Sequence, residues 1–201
     1  MAEFWEEAFN GKQEMWGLEP AKSAVQTAEL FTKNGFKNIL IPGIGYGRNA
    51  RPFKVMGMEV SGIEISETAI TLADKHYGKS LKIHYGSVAD MPFDNKQYDG
   101  IFCYALIHLL DETERRKLIT DCYNQLTENG IMVFSAITQE AQTYGQGTLI
   151  SKDRYEQFQG VNVYFYDTDA IQEEFGRFGL FEVAEVYENY PFYLIKCKKS
   201  N

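Results

Sequence analysis

Ile39-Leu40-Ile41-Pro42-Gly43-Ile44-Gly45-Tyr46-Gly47-Arg48-Asn49 is the stretch whose reading decides the fold. Asn38 to Ile41 reads as a short buried strand, and the glycine-rich segment Gly43 to Gly47 follows it directly. A helix is expected beyond, running through about Val55, with Pro52 either in its first turn or marking an irregularity. A strand that feeds a glycine turn into a helix brings bare backbone against a ligand, because glycine has no Cβ and tolerates unusual dihedrals. The helix start adds free N–H groups and a partial positive charge, which suit a carboxylate or phosphate. A glycine turn can equally serve packing alone, so its neighbours must arbitrate.

Working outward, strand-like and helical stretches alternate, which points to an α/β sheet between helices. Ala21 to Lys33 reads as a helix that stops at Asn34-Gly35. Met58 to Ile63, Leu81 to Tyr85 and Tyr98 to Cys103 read as the second, third and fourth strands. Ser66 can cap a helix reaching about Tyr77. Asp111 with Glu114 three residues on forms a capping-box-like start. Leu118, Ile119, Cys122 and Leu126 then share one helix face, and Asn129-Gly130 is expected to end it. Ile131 to Ile137 is a fully apolar fifth strand, as suits a sheet centre. The pattern then loosens: Tyr144 to Gly147 reads as mobile, while Val161, Val163 and Phe165 alternate like a half-buried strand. Asp167-Thr168 can cap a helix to about Phe178, and Phe181 to Tyr187 with Phe192 to Lys198 reads as a closing hairpin.

A second signal stands seventeen residues past Gly47, where Glu64 ends the second strand in Val60-Ser61-Gly62-Ile63-Glu64-Ile65-Ser66. A carboxylate there can accept both hydroxyls of an adenosine ribose, as in dinucleotide-binding folds, or simply face solvent at a strand end. The glycine turn upstream favours the ribose.

Composition narrows the function classes. The 201 residues favour one domain, and 44% hydrophobic with 24% charged residues is ordinary for a soluble globular chain. Met1 to Gln13 carries three glutamates and no apolar run, so no signal peptide is expected there. The apolar run Ile101 to Leu110 is too short to span a bilayer. A net charge of −8 disfavours a nucleic-acid partner, which calls for a basic face. Cys103, Cys122 and Cys197 form no C-x-x-C pair and suit reduced thiols in a cytoplasm. With histidines scattered at 76, 84 and 108, no metal site is expected.

A third signal is the run Gly86-Ser87-Val88-Ala89-Asp90-Met91-Pro92-Phe93 followed by Tyr98-Asp99-Gly100-Ile101-Phe102. It resembles the fourth-strand region of class I S-adenosylmethionine-dependent methyltransferases, as does the whole order of elements from Ile39 to Ile137. The turn also reads G-x-G-x-G rather than the dinucleotide G-x-G-x-x-G. Trp5 and Met15-Trp16-Gly17 are similar to the lead-in of the tellurite-resistance and thiopurine-type group of small-molecule methyltransferases.

The resemblance implies an α/β fold: a Rossmann-like, seven-stranded, mostly parallel sheet of order 3-2-1-4-5-7-6, its last strand antiparallel, with helices on both faces. It implies a single domain over 1–201, with residues 1–20 covering the cofactor and 138–166 as a substrate lid. Gly43, Ile44, Gly45 and Gly47 would line the methionine part of S-adenosylmethionine, Glu64 would hold the ribose, and Ile65 would lie against the adenine. Ser87, Val88 and Ala89 would border the adenine edge, with Cys103 and Tyr104 beside the sulfonium end. Trp16 would cover the cofactor or act as a packing anchor. Two departures stand out: Ile41-Pro42 where the family often has an acidic residue, and Ser87 where it often has an aspartate.

Methyl transfer is an in-line displacement that requires alignment and exclusion of water rather than a metal. A hydroxyl or ammonium acceptor would need its proton removed, and His108 is the best-placed base. The alternative is a histidine bonded to backbone in a first turn. Tyr144, Arg154, Tyr155, Tyr164 and Tyr166 either shape an acceptor pocket or pack the lid. The expected activity is therefore methyl transfer to a small-molecule acceptor (thiol, chalcogen oxyanion, amine or hydroxyl), leaving S-adenosylhomocysteine. A nicotinamide-dependent oxidoreductase and a non-catalytic S-adenosylmethionine-binding module are the competing readings.

Overall fold

The structure is a computed structural model that describes residues 2–158 and 160–200. Two N-terminal helices, α1 (Ala2–Lys12) and α2 (Lys22–Lys33), precede the first strand, β1 (Asn38–Pro42). After it come α3 (Arg51–Val55), β2 (Glu59–Glu64), α4 (Glu67–Tyr77), β3 (Lys82–Tyr85) and β4 (Tyr98–Tyr104). The chain continues through α5 (Glu112–Gln125) and β5 (Leu126–Ile137) to a short run of β6 (Thr148–Ser151), β7 (Arg154–Phe158) and β8 (Val161–Tyr164). It closes with α6 (Thr168–Phe175), β9 (Leu180–Tyr187) and β10 (Pro191–Lys198).

Seven strands form one sheet of order β3-β2-β1-β4-β5-β10-β9. The first five pair in parallel, and β10 runs antiparallel to both β5 and β9. This is the expected order 3-2-1-4-5-7-6. The parallel strands are apolar on both faces because both are covered. Ile39, Ile41, Phe102 and Val133 pack with Ala24, Ala28 and Phe31 of α2 and Phe53 of α3. Leu40, Ile101, Cys103 and Phe134, one position out of phase, pack with Leu118 and Ile119 of α5 and Phe175 of α6. The period of two along each strand separates the two cores.

Boundaries differ from the sequence-based expectation where tertiary pairing outweighs local signals. The capping box at Asp111 and Glu114 is present, but α5 stops at Gln125 instead of Asn129-Gly130. Leu126 leaves the helix to pair with Tyr98, and the register then jumps so that Gly100 meets Ile131. Asn129, at φ 63°, therefore marks an irregularity inside β5 and not a helix end. The segment after Gly47 forms a 3₁₀ turn, Arg48–Ala50, before α3, and Pro52 sits in the first turn of α3, where no donor is lost. The stretch expected to be loose holds a three-stranded antiparallel sheet, β6-β7-β8. Tyr144 is held there, its hydroxyl donating to Asp153 Oδ1 at 2.7 Å.

No helix among the described residues is long and apolar enough to cross a membrane. Among those residues no group of three or more histidine, cysteine, aspartate or glutamate side chains could hold a metal ion.

Candidate active site

The sheet reverses its winding between β1 and β4, the place where open α/β sheets bind ligands at their carboxyl edge. A cavity of about 400 Å³ opens there. One half is made by the ends of β1, β2 and β3, and the other by the segments after β4 and β5, by β8 and by β10.

In the first half the glycine turn is tied to its neighbour strand, with the amides of Gly43 and Ile44 donating to the Ile63 carbonyl at 2.9 and 3.1 Å. Gly43 has φ 66°, and a Cβ there would come within 2.9 Å of Leu106 Cδ2, so the position demands glycine twice over. The Glu64 carboxylate is buried and accepts from three backbone amides: Gly45 at 2.8 Å, Ile65 at 2.8 Å and Ser66 at 2.9 Å. Burial pushes its pKa up, and the three amides pull the other way. A carboxylate has about four acceptor positions, so one remains open beside the glycine turn. The same side chain thus shapes the turn and keeps an acceptor free.

Gly43, Ile44, Gly45, Glu64, Ile65, Ser87 and Val88 line this half. The Ser87 hydroxyl already accepts from the Ala89 amide at 3.2 Å, capping its own 3₁₀ turn. The structure places three sequence-derived candidates outside the cavity lining: Gly47, Ala89 and Cys103. Gly47, at φ 85°, backs onto Tyr77, whose ring a Cβ would approach to 2.8 Å, so this glycine serves packing. Cys103 alternates with Tyr104 along β4, and faces α5 while Tyr104 faces the cavity. Burial pushes the Cys103 thiol up, which keeps it protonated.

Trp16 lines the cavity and is 41% exposed. It stacks on Tyr46 at 6.2 Å and 13°, which anchors it at the cavity wall. The Tyr46 hydroxyl donates to the Gly17 carbonyl at 2.7 Å. The rest of this wall, Trp5 and Phe9 of α1, falls in the segment 1–20 expected to cover the cofactor, although neither was singled out as a site residue. The Glu6 carboxylate clamps α1 by accepting from the hydroxyls of Ser66 (2.6 Å) and Thr68 (2.5 Å). Arg48 was also missed, although it directly follows the glycine turn. It lines the cavity, donates to the Glu19 carbonyl at 3.0 Å, and sits 5.6 Å over the Tyr104 ring. The Tyr104 hydroxyl in turn donates to Glu188 at 2.5 Å.

In the second half His108 sits in a 3₁₀ turn, Ile107–Leu109, and is buried. Its Nδ1 accepts from the Ile137 amide at 3.4 Å, and burial lowers its pKa to about 3. A neutral ring whose Nδ1 accepts carries its proton on Nε2 and can offer it as a hydrogen-bond donor. Of residues 138–166, Thr143, Gln157, Val161 and Val163 line the cavity. The residues singled out by sequence do not. Tyr144 meets Tyr155 and Phe165 edge-on. The Tyr164 ring lies 3.9 Å under the Arg115 guanidinium, and the Tyr166 hydroxyl donates to Glu174 at 2.7 Å. Arg154 stands outside as well, with burial lowering its pKa.

Residues 40–134 match the family model described as a methyltransferase domain. A Staphylococcus carnosus (strain TM300) protein called an uncharacterized methyltransferase is 29% identical over 108 residues, covering 54% of this chain and 51% of its own length. The chain spans about half the length of the curated relatives it matches. Among solved structures, the Burkholderia thailandensis 1,6-didemethyltoxoflavin-N1-methyltransferase, with 1,6-didemethyltoxoflavin and S-adenosylhomocysteine bound, superposes with a TM-score of 0.77 at 14% identity. That match covers 100% of this chain and 87% of the other. An S-adenosylmethionine-dependent methyltransferase from Clostridium acetobutylicum ATCC 824 follows at 0.74 and 12% identity, covering 99% of each. The chain thus shares its fold with S-adenosylmethionine-dependent methyltransferases, and its residues 40–134 match a methyltransferase domain.

Proposed function

We propose that the chain transfers the methyl group of S-adenosylmethionine to a small-molecule acceptor. The observation that carries this reading is Glu64, a buried carboxylate that fixes the glycine turn through the Gly45 amide and keeps an acceptor position open beside it. That geometry fits a ribose hydroxyl, and the cofactor, once bound, supplies an electrophilic methyl group on a sulfonium.

The chain's own residues then have distinct tasks. Gly43, Ile44 and Gly45 would meet the methionine part, with Arg48 close enough to the turn to neutralise a carboxylate. Ile65, Val88 and Ser87 would bound the adenine, Tyr104 the sulfonium end, and Trp5, Phe9 and Trp16 would exclude water from above. Gly47, Ala89 and Cys103 would act only from behind, through packing. Membership of the tellurite-resistance and thiopurine-type group is supported by the N-terminal lead-in, whose two tryptophans wall the cavity. A cytoplasmic site of action is supported by three free, buried cysteines.

Calorimetric titration with S-adenosylhomocysteine, with NAD in parallel, tests the proposal. Saturable binding of the first alone is expected. Binding of NAD alone, or of neither by folded protein freed of copurified ligand, would overturn it.

A further inference from the structure

The second half of the cavity differs chemically from the first. Leu109, Ile137, Val161, Val163 and Phe192 belong to one buried apolar cluster, and each of them lines the cavity. Among the described residues lining this half there is no lysine or arginine. The nearest cations are turned elsewhere. The Arg115 guanidinium is taken by Glu174 and the Leu110 carbonyl, and Arg48 donates to Trp16 and Glu19 carbonyls on the cofactor side. Arg154 keeps a buried Nε without a partner, but it does not line the cavity. The one carboxylate on this side, Glu114, accepts from the Asp111 amide in the capping box. An anion bound here would lose water and meet no cation, only neutral donors such as His108, Thr143 and Gln157.

His108 is the buried polar side chain among those lining this half. Because the Ile137 amide occupies Nδ1, the ring offers Nε2–H as a donor. Trp5, Tyr190 and Phe192 supply aromatic surfaces around it.

We propose that the acceptor is an uncharged aromatic or heteroaromatic molecule bearing a lone-pair atom that His108 meets through Nε2–H, and that oxyanions are excluded. The inference rests on the methyl-transfer reading above and narrows its acceptor. His108 is then a positioning residue. In the transfer the acceptor's attacking lone pair forms the new bond to the methyl carbon, and the electron pair of the carbon–sulfur bond stays with sulfur. Where the attacking atom carries hydrogen, its proton leaves to solvent, since His108 holds no free acceptor.

Calorimetry on the whole chain, first with S-adenosylhomocysteine and then at saturation with quinoline, benzoate or selenite, tests this. Quinoline is expected to bind saturably and the two oxyanions not at all. His108→Phe should weaken quinoline roughly 3- to 10-fold, the worth of one neutral hydrogen bond, and His108→Gln should restore most of it. Quinoline affinity should stay flat across about pH 6 to 8, where a titrating histidine would show a break. Val163→Trp, which fills this half, should abolish quinoline binding and leave S-adenosylhomocysteine binding intact. If S-adenosylhomocysteine fails to bind, the methyl-transfer reading fails and this one with it. If it binds but quinoline does not, or benzoate or selenite binds as tightly, only the acceptor class is overturned. Equal quinoline affinity in wild type and His108→Phe would remove His108 from the site.

Discussion

The two halves of the cavity are built by opposite means. The glycine-turn half is assembled from the ends of three adjacent strands, and its polar contacts are backbone amides converging on Glu64. The other half is collected from segments as far apart as Leu106 and Phe192, and its walls are mainly apolar side chains. Backbone geometry defines the first and packing defines the second. A half made of local hydrogen bonds should respond to substitution within itself. A half made of distant packing should respond to residues that never touch the ligand.

The largest expected effect breaks the second half from outside. Arg115 and Glu174 form a buried pair at 2.9 Å, with the Tyr166 hydroxyl also on Glu174 and the Leu110 carbonyl on Arg115. Glu174→Ala would leave a buried guanidinium uncompensated, at about 3–5 kcal/mol of unfolding free energy. The double variant Arg115→Met/Glu174→Leu should recover most of that loss in urea unfolding. A single variant as stable as wild type would show that the pair does not support the wall.

Next is Glu64→Ala, which should weaken S-adenosylhomocysteine binding by about 1.5–3 kcal/mol, as for a hydrogen bond to a charged group. It also orphans the Gly45, Ile65 and Ser66 amides, so a lower unfolding midpoint should accompany the weaker binding. Unchanged affinity in a folded variant would detach the glycine turn from the cofactor.

His108 separates the halves by pH. Its folded pKa of about 3 lies below the value of 6.5 of an unperturbed histidine. The unfolded chain therefore binds the proton first, and stability contributed above pH 6.5 is lost as pH falls toward 3. From pH 7 to pH 5 this group should cost ~2 kcal/mol. Urea unfolding of wild type and His108→Gln at both pH values would read the difference. Identical slopes would mean that the imidazole is not buried neutral.

The smallest effect is expected at Trp16, which is 41% exposed and shares its covering task with Trp5 and Phe9. Trp16→Ala should weaken S-adenosylhomocysteine binding by under about 1.5 kcal/mol, the upper range for an aromatic pair. A loss as large as that of Glu64→Ala would make the aromatic wall, and not the turn, the main cofactor contact.

The sequence by itself determined the alternation of strands and helices, the glycine turn, the Glu64 position and the Asp111 capping box, because each is written in residues close along the chain, whereas the strand order followed only from the family resemblance. Periodicity and turn chemistry act over a few residues, so they can be read there. Only the tertiary structure decided that β5 begins at Leu126, since pairing with Tyr98 outweighs an Asn-Gly stop signal. It also decided that Cys103 and Gly47 lie outside the cavity lining, that valines of β8 and not Tyr144, Tyr155, Tyr164 or Tyr166 line it, and that the Ile137 amide meets His108 Nδ1. Those outcomes depend on which side of a strand packs against a distant element, and on which amide meets a ring nitrogen twenty-nine residues away. Such contacts between remote segments leave no periodic trace along the chain.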